Sequence, residues 1–283
     1  MTGGGAGRST DGRGAGGPPA GSGAHHDAPA FWDDLRLLTQ ARIGLGRAGD
    51  ALPTRRVLEF AAAHAAARDA VHTDLDVPAL VARLGDYDLG EPVHVRSRAA
   101  DRAEYLRRPD LGRLPAAAAL PLRPGPGNGW DIGVVLADGL SARALADHGP
   151  PTLDALLPLL RQQYSIAPPV VATQARVALG DQVGAALGVS TVLVLIGERP
   201  GLSVADSLGV YLTHLPRPGR TDADRNCVSN IHPPEGLGYR RAAEVITGLV
   251  EGARRLGRSG VALKDTSRDP VVSPAAPGPE LGG

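Results

Sequence analysis

The sequence predicts an α/β fold: a mostly parallel, doubly wound sheet with helices on both faces, preceded by a small helical N-terminal domain. Three observations predict it. The runs DIGVVLA, PPVVATQ and TVLVLIG are almost continuously apolar, as strands buried from both faces are. The first two are each followed by a segment long enough to cross back over the sheet as a helix. Before residue 121 the apolar residues recur at helical spacing instead.

In chain order, residues 1–29 are Gly-rich and almost free of large apolar side chains, so they cannot offset the entropy of ordering and are expected to be a disordered tail. The pair His25-His26 beside Asp27 falls in that tail and is read as tail, not as a metal site. Residues 30–120 are expected to form the helical domain. Phe31, Leu35 and Leu38 sit at helical spacing, and RIGLGRAGD follows as a loop. Pro53-Thr54 open a helix that places Val57, Phe60, Ala61, His64, Ala67, Arg68 and Val71 on one face. His64 and Arg68 lie one turn apart there, with Asp69 adjacent, serving either packing or a ligand or partner chain. HVRSRAADRAEYLRRPDLGRL reads as a charged helix in which Glu104 can pair with Arg107 or Arg108. Pro121 to Gly129 reads as a linker.

Residues 121–270 are expected to form the sheet domain. A strand over 132–137 meets a tight turn at Asp138-Gly139 and a helix opening at Ser141; a second strand, PPVVATQ, and a short helix, VALGDQVGAALG, follow. After the strand TVLVLIG, SVADSLGVYLTH offers another. EGLGYRRAAEVITGLVEGARRLGRSG is an amphipathic helix with Ala242, Val245, Ile246, Leu249 and Ala253 on one stripe, and GVALKD reads as a last strand. Residues 271–283 are expected to be a second disordered tail.

Composition excludes several classes. The 283 residues include 30 Lys plus Arg against 30 Asp plus Glu, so no bulk field draws nucleic acid or an anionic membrane. Cys227 is the single cysteine, which rules out an internal disulfide and a cysteine-built zinc site. No run approaches the ~18 apolar residues of a membrane helix, and no secretory signal is visible, so a cytoplasmic protein is expected.

Ligands of doubly wound sheets bind beyond the carboxyl ends of the strands. ADGLS and IGERPGL both lie there. In Asp138-Gly139-Leu140-Ser141 the glycine allows the turn and Ser141 is a good N-cap; the helix start could take an anion, although capping alone explains the serine. DGLS is not the nucleophile elbow G-x-S-x-G. In Glu198-Arg199-Pro200-Gly201, Pro200 restricts Arg199 and Gly201 lets the chain reverse, which aims a carboxylate and a guanidinium from the sheet edge. The plain alternative is a Glu–Arg pair that only stiffens the turn. RTDADRNCVSNIHPPEG reads as a long, polar, irregular segment holding Cys227, Asn230 and His232. A Cys and a His could form a nucleophile and base there. A lone Cys is more often a small apolar residue, however, and nothing supplies an oxyanion hole. There is no His/Asp/Glu cluster at metal-ligand spacing, no Gly-x-Gly-x-x-Gly after a strand and no Asp-x-His-x-x-Gly. The residues therefore describe half of a site whose chemistry belongs elsewhere.

Several longer stretches carry a resemblance: ARIGLGRAGDALPT, EFAAAHAAARDAVH, DRAEYLRRPDLGRL, ADGLSARAL, RVALGDQVG, LIGERPGL, SLGVYLTHLPRPGRTDADRNCVSNIHPPEGL and SGVALKD. Together, in this order over about 40–265, they resemble the small (light) subunit of ethanolamine ammonia-lyase. The resemblance implies a Rossmann-like C-terminal part and a large TIM-barrel subunit as partner, with adenosylcobalamin between the two chains. Homolysis of the cofactor's cobalt–carbon bond gives the radical that takes hydrogen from ethanolamine, and acetaldehyde and ammonia leave. The family's cobalamin contacts fall on three residues here: Val177 through its main-chain carbonyl, Glu198 through its side chain, and Cys227. Catalytic residues belong to the large subunit. Cobalt arrives with the cofactor, so no protein metal ligand is expected, and the missing Asp-x-His-x-x-Gly agrees with a cofactor that keeps its own base. The family implies a cytoplasmic location, free or within a bacterial microcompartment.

Overall fold

A computed structural model describes residues 29–117, 120–126 and 129–265. The expected tails, up to residue 28 and over 271–283, and the His25-His26 pair lie outside the described residues. The chain divides into two compact units, residues 1–56 and 57–283. In the first, helix α1 (Pro29–Leu37) is tied to the loop after it by Arg36, which donates to the carbonyls of Ile43 (3.1 Å) and Gly44 (2.6 Å). Helix α2 (Thr54–His72) starts at the Pro-Thr signal, but only Ala70 is buried; Val57 and Phe60 of the expected packing face are exposed.

The second unit is built on a sheet ordered β1-β3-β2-β4-β5-β6 among the described residues. Its strands are β1 (Val93–Arg96), β2 (Ile132–Ala137), β3 (Val170–Thr173), β4 (Thr191–Gly197), β5 (Leu208–His214) and β6 (Asn226–Ile231). Pairing is parallel from β1 through β4 and antiparallel from β4 to β6, so the sheet is mixed. Parallel winding holds where a helix crosses between strands; the short β4–β5 and β5–β6 connections allow only antiparallel return. Helix α5 (Ala142–Leu160) connects β2 to β3, and α6 (Leu179–Leu187) connects β3 to β4. They cover opposite faces. Leu145, Leu153 and Leu156 of α5 join Leu136, Leu193 and Leu195 and the apolar stripe of α7 (Tyr239–Leu256) in one core. Leu179 and Val183 of α6 join Val135, Val170 and Val194 in the other. The remaining helices are α3 (Val77–Gly85), on the α5 side, and α4 (Arg102–Arg107).

Three sequence expectations are corrected here. HVRSRAADRAEYLRRPDLGRL is not one helix: Val93–Arg96 is the edge strand β1, where only Val95 is buried while His94 and Arg96 face outward, and the helix is confined to α4. The polar segment around Cys227 is strand β6, with Val228 and Ile231 buried and Cys227 and Ser229 exposed. GVALKD is a turn: Gly260 at φ +93 breaks the extended path, Val261 is exposed, and Leu263 packs into the α7 core. Helix α5 also runs through Pro150 and Pro151, with Thr152 Oγ1 donating to the His148 carbonyl at 2.6 Å.

Candidate functional site

The carboxyl ends of β2, β3 and β4 meet at one edge of the sheet, and the connections after β2 and β3 leave toward opposite faces. That is where an open sheet presents a crevice. Asp138, just past β2, fills the gap to β3. Its carboxylate accepts from the backbone N–H of Gln174 (2.8 Å) and Ala175 (3.0 Å), and Arg102 Nη1 lies 3.5 Å from it. Burial pushes the Asp138 carboxyl up, opposed by these N–H donors and by Arg102. Gln174 sits at φ +54, a conformation costly for a side-chain-bearing residue, and the Asp138 bond holds it. Gly139 at φ +56 meets the Gly197 carbonyl so closely that a Cβ would overlap it. Ser141 caps α5 by accepting from Ala144 N–H at 3.2 Å and is fully buried. For ADGLS the structural reading holds: these residues tie three strand ends together and present no nucleophile.

Glu198 is different. It leaves β4 half-buried, and Gly201 N–H donates to the Val204 carbonyl (2.6 Å) to close the loop behind it. Its Oε2 accepts from Ser207 Oγ at 2.6 Å and from Asn230 N–H at 3.2 Å. Asn230 is at φ +62, so this carboxylate, like Asp138, secures a left-handed residue. Oε1 is the oxygen left for a ligand. It stands over Gly209, where a Cβ would come within 3.0 Å of it; glycine there keeps the carboxylate's seat open. Arg199 is exposed and, among the described residues, forms no bond to Glu198.

Val177 and Glu198 line one open concavity of about 450 Å³ together with Tyr105, Gly139, Arg176 and Tyr211. The Val177 carbonyl accepts from Gly180 N–H at 2.9 Å, which leaves its second lone pair. Cys227 does not line that concavity. It lines a separate one of about 400 Å³ between β6 and α7, and its cross-strand partner Tyr211 lines the first. Although Cys227 is exposed at the strand edge, desolvation of its sulfur by the protein packed around it, with Glu198 nearby, pushes the thiol up to about 11, so it is a neutral thiol near neutral pH. His232 is buried and bound through Nε2 to Asn230 Oδ1 at 2.8 Å, so it does not serve Cys227 as a base. Cysteine catalysis has no geometric support.

Helix α6 packs on β2 and β4, and the β5–β6 part of that face carries half-exposed Tyr211 and exposed Cys227 and Ser229. One buried ion pair borders it. Arg225 donates to both carboxylate oxygens of Asp181 on α6, at 2.7 and 2.8 Å, and to Thr213 Oγ1 at 3.1 Å. This pair pins the start of β6 to the start of α6, two residues from Cys227 and four from Val177.

A family model described as ethanolamine ammonia-lyase light chain matches residues 29–264. The chain belongs to the family of ethanolamine ammonia-lyase small subunits. It is 65% identical over 243 residues to an ethanolamine ammonia-lyase small subunit of Rhodococcus erythropolis, covering 86% of this chain and 93% of the relative. It is 52% identical over 244 residues to that of Bradyrhizobium diazoefficiens, covering 83% and 91%. For the Azotobacter vinelandii relative the identity is 48% over 253 residues, covering 88% and 93%. A small-subunit family implies a large subunit as partner. Among the described residues no group of His, Cys, Asp and Glu could hold a metal ion, and no helix is long and apolar enough to cross a membrane.

Sequence reasoning missed Ser207, Gly209 and Tyr211 as surroundings of Glu198, and named Asn230 without its bond to that carboxylate. Period-two alternation in β5 puts Gly209 and Tyr211 on one face, and that signal was available. Their link to Cys227 needed the β5–β6 register, which a segment read as irregular could not supply.

Proposed function

We propose that this chain is the small subunit of an adenosylcobalamin-dependent ethanolamine ammonia-lyase, and that it completes a cobalamin site shared with a large TIM-barrel subunit. The supporting observation is the shared concavity of Val177 and Glu198 on a partly uncovered sheet face, bordered by the Tyr211–Cys227 pair. Adenosylcobalamin, when bound, supplies the radical through homolysis of its cobalt–carbon bond.

The residues present fit such a ligand. Cobalamin is broad and rich in amide donors, and Glu198 Oε1 and the second lone pair of the Val177 carbonyl are acceptors on one concave surface. Gly209 clears the space above the strand for Glu198. The neutral Cys227 thiol offers a small, weakly polar surface that tolerates an amide or a methylene. Ser207 and the Asn230 N–H hold the carboxylate in one orientation, so less freedom is lost when a ligand binds. Nothing in the arrangement performs acid–base or nucleophilic chemistry on ethanolamine, so deamination to acetaldehyde and ammonia is assigned to groups on the large subunit.

The test is Glu198→Ala in the two-subunit enzyme. Loss of one charge-assisted acceptor predicts a rise of about ten-fold or more in the KM for adenosylcobalamin, with the KM for ethanolamine little changed. An unchanged cofactor dependence would remove Glu198 from the site.

A further inference from the structure

Beside the concavity of Glu198 lies a second cleft of about 420 Å³, sharing Leu140, Arg176 and Arg199 with it. Its other walls come from α2, with His64, Arg68 and His72, and from Leu106 and Leu202. Three arginines and two histidines line it, and among the described residues no carboxylate does. The arginine charges gathered around one cavity repel each other, and an anion entering it would relieve that repulsion.

The back wall is built, not loose. The Arg176 guanidinium stacks on the Tyr105 ring at 4.6 Å, and Arg102 stacks on the same ring at 4.9 Å. Tyr105 is fully buried and anchored by its hydroxyl, which donates to the Ala175 carbonyl at 3.0 Å. Arg176 Nε is buried and, among the described residues, has no hydrogen-bond partner. Buried guanidinium N–H groups are rarely left unpaired, because each costs the desolvation of a charged donor. Arg68 and Arg199 are exposed and, among the described residues, form no ion pair, so their forks are free to converge on a guest.

We infer that this cleft is an anion site for a phosphate group, bound by Arg68, Arg176 and Arg199. Planar guanidinium groups meet phosphate oxygens two at a time, and the stacked Arg176 presents its fork with little freedom left to lose. The phosphate has two possible sources, a free phosphate ion or a phosphodiester within a larger ligand lying over the Glu198 concavity. Only the second source rests on the cofactor reading above.

The experiment is calorimetric titration of inorganic phosphate at low ionic strength. It uses the full chain, alone and assembled with the large subunit, as wild type, Arg68→Gln, Arg199→Gln and the double variant. Both positions are exposed, so the fold is expected to survive, and circular dichroism checks it. The result expected is saturable binding, weakened about ten-fold by each substitution and about a hundred-fold by both, as for lost charge-assisted bonds. Competition by cyanocobalamin but not by dicyanocobinamide, which lacks the phosphodiester, assigns the site to the larger ligand. Phosphate binding that neither corrinoid displaces assigns it to the free ion, and the anion site stands even where the cofactor reading fails. No saturable binding in either preparation, or equal affinity in wild type and double variant, overturns it.

Discussion

Arg225 gives the sharpest test of how the fold positions the site. Its side chain and that of Asp181 are 2% and 3% exposed, and two hydrogen bonds at 2.7 and 2.8 Å join them. Arg225→Met keeps most of the side-chain volume but leaves the Asp181 carboxylate buried without its cation. Removing one partner of such a pair costs about 3–5 kcal/mol, most of it the uncompensated charge. In a unit of this size that lowers Tm by about 6–20 °C. The loss of the Thr213 bond adds to it. The double variant Asp181→Leu/Arg225→Met removes both charges together and should recover to within about 2 kcal/mol of wild type, because an apolar pair of similar volume replaces the ionic one. Thermal and urea unfolding of the three proteins read this directly. An Arg225→Met cost below about 1 kcal/mol, or a double variant no better than the sum of the two singles, would refute the claim that this pair clamps β6 to α6.

Two further outcomes follow from the same geometry. His214 is buried against Thr191 Oγ1 at 2.9 Å, and burial, with Arg254 and Arg220 nearby, holds its pKa below the usual value. The unfolded chain then binds the proton first, so stability is full above about pH 6.5 and falls as pH drops toward the depressed native value. Tm measured at pH 7.5 and 5.5 should fall less in His214→Gln than in wild type; equal falls would show that His214 does not carry the effect. Gly139→Ala forces a side chain into φ +56 and a Cβ against the Gly197 carbonyl, a cost of about 2 kcal/mol or more in urea unfolding. A neutral substitution would mean that the β2 and β4 ends are not locked together as described.

The parallel half of the sheet was legible because its strands are apolar on both sides. Ile132, Val134, Val135 and Leu136 are all buried, as the short β-branched run of a two-faced strand between turn signals leads one to expect. The edges were not. His94 and Arg96 in β1, and Cys227 and Ser229 in β6, face outward, so these strands carry only one or two apolar residues each and look like helix or loop in isolation. GVALKD failed the other way: its apolar residues are a turn docked by Leu263 on α7, where tertiary packing overrides strand propensity. The place of Glu198 at the carboxyl end of β4 was legible from the apolar run before it and the Pro and Gly after it. The roles of Ser207, Gly209 and Asn230 depend on antiparallel register, and no local pattern encodes which residues two strands bring opposite each other.

The central claim is that this chain completes a cobalamin site and carries no ammonia-lyase chemistry of its own. Mixing purified chain, large subunit and adenosylcobalamin, each alone and in combination, and following the corrinoid absorbance together with acetaldehyde release tests it most directly. The account predicts a cofactor spectral change and ethanolamine turnover only when both subunits are present. Turnover by the isolated chain, or an unchanged cofactor spectrum with both subunits present, would contradict it.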